Sequence, residues 1–136
     1  MATTPPPAPN PVAPTQPTNQ LPKAHLAEGR YFSRAFEKEA LCYDQPCAFF
    51  AAVMMNKGAT DLYMLVCDAR DKSPVFPHLA PVKVPAGSTG SLDWSFAPRR
   101  MRDGIYIAAS TAPDLKTLSA TADCFFEVAY DLLYPA

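Results

Sequence analysis

The chain has 136 residues, 49% of them apolar and 18% charged, and its 12 basic and 13 acidic side chains leave a net charge of −1. That length suits a single domain with a modest core. A balance so close to neutrality removes the electrostatic case for nucleic acid or an anionic membrane surface, and gives separate copies little mutual repulsion.

The first 22 residues, MATTPPPAPNPVAPTQPTNQLP, hold eight of the sixteen prolines and no charged side chain. Proline fixes φ and lacks an amide donor, so this segment is expected to be an extended, polyproline-like arm. Such an arm spaces a domain from something or lies along a partner. Its candidate contact residues are Pro5, Pro6, Pro7, Pro9, Pro11, Val12, Pro14, Pro17 and Leu21. Residues 23–34 read as an arm-to-domain transition, in which Leu26, Tyr31 and Phe32 could anchor the arm and Gly29 weakens a helical turn. The domain is expected to span residues 35–136.

Ala35 to Tyr43 reads as a polar first strand and Asp44-Gln45-Pro46 as a turn. Cys47 to Met55 is a continuous apolar run, expected to be a strand buried on both faces, with a short helix as the competing assignment. After the tight-turn cluster Asn56-Lys57-Gly58, Thr60 to Asp68 is a second apolar strand. Four prolines between Pro74 and Pro85 leave room only for a short edge strand at Val82–Val84. Ser91 to Phe96 alternates with period two and sets Leu92, Trp94 and Phe96 on one face, which assigns them to the core. Pro98 to Asp103 reads as a basic turn, Gly104 to Ser110 as a strong strand, Thr117 to Thr121 as a short one, and Asp123 to Asp131 as the last. Seven or eight short strands separated by turn signals predict an all-β protein: a single β-sandwich, jelly-roll or Ig-like, with the extended Pro-rich arm at its N-terminus.

The four cysteines, Cys42, Cys47, Cys67 and Cys124, lie in or beside apolar runs. No basic start with a following apolar stretch resembles a signal peptide, so reduced, buried thiols are expected rather than disulfides. The run Cys47–Met55 is too short to span a bilayer. Of the two histidines, His25 falls in the transition and His78 in a proline-rich loop without a neighbour at metal-ligand spacing. Ser110 lacks a glycine-flanked elbow and reads as a turn residue. No catalytic residue, metal ligand or cofactor is expected. Arg99, Arg100 and Arg102 form the one basic cluster, a candidate contact surface that reads first as a solvated hairpin tip.

Residues 60–131 carry DLYMLVCD, then PAGSTGSLDW, then GIYIAASTAPDLKTLSATADCFFEVAYD, an order that resembles small structural proteins of tailed-bacteriophage particles. The resemblance implies a virion component made in the host cytoplasm. Its partners would be other virion proteins (the major capsid protein or neck and tail proteins), with homo-oligomerisation on the particle and no specific nucleic acid or membrane. Capsid decoration or stabilisation is the first expectation. A neck, tail or baseplate component is the alternative, as is a β-sandwich module that binds a host-surface glycan or protein.

Overall fold

Residues 29–132, the part of the chain that the computed structural model describes, form nine strands joined by turns and loops, with no helix. They are β1 (Gly29–Phe32), β2 (Glu39–Tyr43), β3 (Cys47–Asn56), β4 (Leu62–Cys67), β5 (Val82–Val84), β6 (Thr89–Asp93), β7 (Arg99–Met101), β8 (Ile105–Ser110) and β9 (Cys124–Leu132). One antiparallel sheet has the order β1-β9-β3-β6, with β7 also paired to β3, and the other has the order β2-β8-β4-β5. β6 and β7 share one edge of β3, β6 along Ala51–Met55 and β7 along Cys47–Phe49.

The pairings are nested. β1 pairs with β9, β2 with β8, β3 with β6 and β7, and β4 with β5. Taken from the outside inward, these pairs fall alternately in the first and second sheet. The backbone thus follows one long antiparallel hairpin wrapped into two layers. The inner faces share one apolar core: Phe49, Ala52, Met54, Phe126 and Val128 from the first sheet, and Met64, Val66, Ile105, Ile107 and Ala109 from the second. The layers are sandwich-like in this sense, since each sheet buries its apolar side chains against the other.

A buried polar knot closes the β3–β4 corner. Asn56 is fully buried; its Nδ2 donates to the carbonyls of Thr60 (2.8 Å) and Val84 (3.0 Å), and its Oδ1 accepts from the Gly58 amide (3.0 Å). Asn56→Ala removes all three side-chain hydrogen bonds from a fully buried site. A loss of about 2–3 kcal/mol is expected in denaturant unfolding, with faster hydrogen exchange at Gly58. An unchanged midpoint would mean that water replaces the amide without cost.

Several sequence assignments need correction. The strands number nine rather than seven or eight. Residues 29–32, read as part of the transition, pair with β9 as an edge strand. β2 begins only at Glu39, because the preceding residues bend and touch β9 through the single bridge Glu37–Cys124. Arg99–Met101 is a paired strand rather than a hairpin tip, with Met101 fully buried. Thr117–Thr121 contributes only the bridge Leu118–Ser110. β3 buries one face fully and the other partly. β8 is the strand buried throughout, because Leu118 and the loops after β4 and β8 cover its outer face. The reading of residues 1–22 as an extended arm lies outside the described residues.

Phe96 is not in the core; it is 78% exposed. The Asp93 carboxylate accepts from the Ser95 amide (2.8 Å) and hydroxyl (2.5 Å), which ends β6. These hydrogen bonds favour the charged form and hold the Asp93 carboxyl below its ordinary pKa. A turn from Trp94 to Ala97 follows, so the period of two stops before Phe96. Leu92 and Trp94 do pack against the core.

Candidate functional site

Adjacent residues in a strand face opposite sides of the sheet, so one member of an apolar doublet lies on the outer face and is exposed unless loops cover it. Three doublets in neighbouring strands do this: Tyr31-Phe32 in β1, Met54-Met55 in β3 and Phe125-Phe126 in β9. Tyr31, Met54 and Phe126 turn inward. Phe32, Met55 and Phe125 turn outward onto one face of the first sheet. Register brings them together, with Met55 opposite Phe125, and Phe32 and Val53 on either side of Glu127.

The result is a shallow groove of about 260 Å³ lined by Phe32, Ser33, Val53, Met55, Phe125, Phe126 and Glu127. Phe32 is 55% exposed and Met55 37%. Phe36 extends the apolar area, its ring 4.6 Å from that of Phe125. Glu127 supplies the groove's one charge and is paired with Arg30 at 3.2 Å. Both partners are about half exposed, so the pair adds little stability and serves mainly to neutralise the face.

The wall at Ser33–Glu37 is fastened in place. The Ser33 hydroxyl accepts from the Phe126 amide (2.8 Å) and donates to the Glu37 carboxylate, which also accepts from the Tyr31 hydroxyl (2.5 Å). Burial, then this carboxylate, pushes the Tyr31 phenol upward in pKa. Backbone bonds run both ways between Glu37 and Cys124. Phe32 and Phe36 are therefore held outward by a braced loop. Such a face offers dispersion contacts to an apolar, ring-bearing ligand and no free charge.

A smaller aromatic platform lies at the β6–β7 turn. Phe96 stacks on Trp94 with centroids 5.6 Å apart, and the Arg99 guanidinium sits 4.9 Å from the Trp94 ring centroid. Of the three candidate arginines, Arg99 thus serves an aromatic contact, while Arg100 and Arg102 are exposed and the backbone amide of Arg102 donates to Asp68 at 2.8 Å. The arm candidates Pro5, Pro6, Pro7, Pro9, Pro11, Val12, Pro14, Pro17 and Leu21 lie outside the described residues, as does His25. His78 is exposed and Ser110 is buried. The Ser110 hydroxyl bonds the Ala112 carbonyl (2.8 Å) and accepts from the Thr117 amide (2.9 Å), so it organises the loop after β8. Among the described residues, no group of three His, Cys, Asp or Glu side chains could hold a metal ion, and no helix could cross a membrane.

All four cysteines are free thiols, three of them buried. Burial, followed by the Asp68 charge, pushes the Cys47 thiol up to about 12. Burial pushes Cys67 and Cys124 up to about 11, from an ordinary value of 9.0. The unfolded chain loses these protons from about pH 9 while the folded chain keeps them. The thiols' contribution to stability is therefore level below pH 9, and stability is expected to fall as pH rises from 9 to 11, because the folded state then binds more protons. Thermal melts across that range check this, and a level melting temperature through pH 11 would contradict it.

Comparison with models of known protein families, with curated proteins and with solved structures yields no match.

Proposed function

We propose that this chain is a non-enzymatic structural protein of a tailed-bacteriophage particle, which decorates or stabilises the capsid through its β-domain and Pro-rich arm. The nested strand order carries the reading. Pairs β1·β9, β2·β8, β3·β6 and β4·β5, dealt alternately into two sheets, are what rolling one hairpin into a sandwich produces. That arrangement favours a jelly roll, an architecture common in viral capsid domains. An Ig-like sandwich of the constant type has its first and last strands in different sheets, whereas β1 and β9 are paired neighbours here.

A protein of this kind works by contact area. Its partners are the major capsid protein or neck and tail proteins, together with further copies of itself, and it needs no cofactor, nucleic acid or membrane. Repetition on a particle supplies avidity, so each contact can be weak. The test is add-back: particles assembled without this chain are titrated with the purified full-length protein. Saturable binding at a fixed number of copies per particle is expected. Absence of saturable binding would overturn the proposal.

A second reading is favoured by the exposed Phe96 stacked on Trp94, since lectins also use jelly rolls and aromatic faces accept sugar rings. A β-sandwich module for a host-surface glycan would use that platform. Trp94 is the single tryptophan, so its fluorescence reports the site directly. A saturable change on adding a glycan, abolished in Phe96→Ala, would support this reading over the first.

A further inference from the structure

We propose that the groove on the outer face of the first sheet holds the chain's own Pro-rich arm, with residues between Pro11 and Pro22 folded back over Phe32, Val53, Met55 and Phe125. The inference concerns the free chain and goes beyond the particle reading without depending on it.

Groove and arm match in chemistry. Aromatic-lined grooves recognise proline-rich segments because the rings pack on a preformed extended backbone that loses little entropy on docking. Here three phenylalanines, Phe32, Phe36 and Phe125, stand on one face, and Met55 adds an adaptable side chain. Residues 11–22 offer four prolines with Val12 and Leu21 and no charged side chain, while the groove's Glu127 is already neutralised by Arg30. A volume of about 260 Å³ suits a short stretch of such a segment rather than a large ligand.

The first described strand leads directly to the groove. Residue 29 opens β1, the edge strand of this sheet, and Phe32 at the end of the same strand is a groove wall. Three residues of extended strand separate them by about 10 Å. Residues 23–28 can span roughly 20 Å, enough to reverse direction and bring Pro22 back over Phe32.

Magnitudes favour the chain's own arm over a neighbour's. A short tether gives an effective concentration of the order of millimolar. A contact with a dissociation constant of about 1 mM is then half formed within one chain. Between separate chains at roughly 10 μM it is formed about one time in a hundred.

Paramagnetic labelling tests this on the full-length protein. A nitroxide placed at Thr18→Cys reacts ahead of the native thiols, of which Cys47, Cys67 and Cys124 are buried and Cys42 has its pKa pushed well upward by burial. Methionine methyl signals serve as reporters, with fully buried Met64 of the other sheet as the internal reference. Loss of the Met55 signal with Met64 retained is expected in dilute protein carrying nitroxide and isotope on the same chain. No loss is expected when nitroxide and isotope are on different chains. In Val53→Lys, which alters only the outward face, the Met55 signal should return while Met64 stays in place. A sharp Met55 signal throughout would overturn the proposal. So would loss only in the mixed sample, which assigns the groove to a second copy, or loss that survives Val53→Lys.

Discussion

Val128→Asp is expected to abolish the folded domain or to cost more than about 4 kcal/mol of its stability. Val128 is fully buried at the centre of β9, between Tyr31 of β1 and Ala52 of β3 in register, and its side chain lies in the core shared by both sheets. A carboxylate there finds no cation among its core neighbours, and burying an unpaired charge is among the few single changes that exceed ordinary mutational costs. A domain of this size has only about 5–15 kcal/mol to lose. Lys57→Ala is the matched control. Its side chain is exposed, and the hydrogen bond it makes, from its backbone amide to the Asp123 carbonyl at 3.0 Å, survives the substitution. It should fall within about 0.5 kcal/mol of the parent. Thermal melts and urea titrations of the pair check this, and equal shifts would mean that Val128 does not face the core.

Gly104→Ala is expected to cost about 3–5 kcal/mol, a large effect for one added methyl group. Gly104 sits at φ +155, and a Cβ there would come 2.2 Å from the Tyr43 carbonyl oxygen and 2.7 Å from that of Ala69. Both obstacles are backbone, so neither can rotate away. The Asp68 carboxylate fixes this corner by accepting from the amides of Arg102 (2.8 Å), Asp103 (2.8 Å) and Gly104 (3.3 Å). Gly87→Ala separates strain from collision. Its φ is +74, yet nothing lies within 4 Å of the added carbon, so only a conformational penalty of about 1 kcal/mol remains. Equal urea midpoints for the two variants would show that the approach to Tyr43 and Ala69 relaxes freely.

The all-β class was legible because the long strands carry their burial in their pattern. Cys124, Phe126, Val128 and Tyr130 all turn inward with period two. The continuous apolar runs at Leu62–Cys67 and Ile105–Ser110 are strands covered on both sides. Short elements were illegible for a physical reason. A three-residue strand such as Arg99–Met101 needs only one inward residue, and three arginines around Met101 look like a polar turn. Alternation misplaces Phe96 because it says nothing about where a strand stops; the Asp93 side chain decides that. Pairing order cannot be read from periodicity at all, since it depends on which distant strands meet.

The arginine cluster and the proline-rich first 22 residues stand out in the sequence because their compositions are unusual. The groove did not, because its parts lie in three distant strands. Its signal was nonetheless present in the doublets Tyr31-Phe32, Met54-Met55 and Phe125-Phe126. Each doublet exceeds what one face of a sheet can bury. What the sequence lacked was the register that sets the three surplus side chains side by side.

The proposal that this chain belongs to a particle is tested most directly by quantitative mass spectrometry across a density gradient of particles from its source. The account predicts a constant ratio of this protein to the major capsid protein through the particle peak, retained after a high-salt wash. Recovery of the protein only in the soluble fractions, with none in the particle peak, would contradict it.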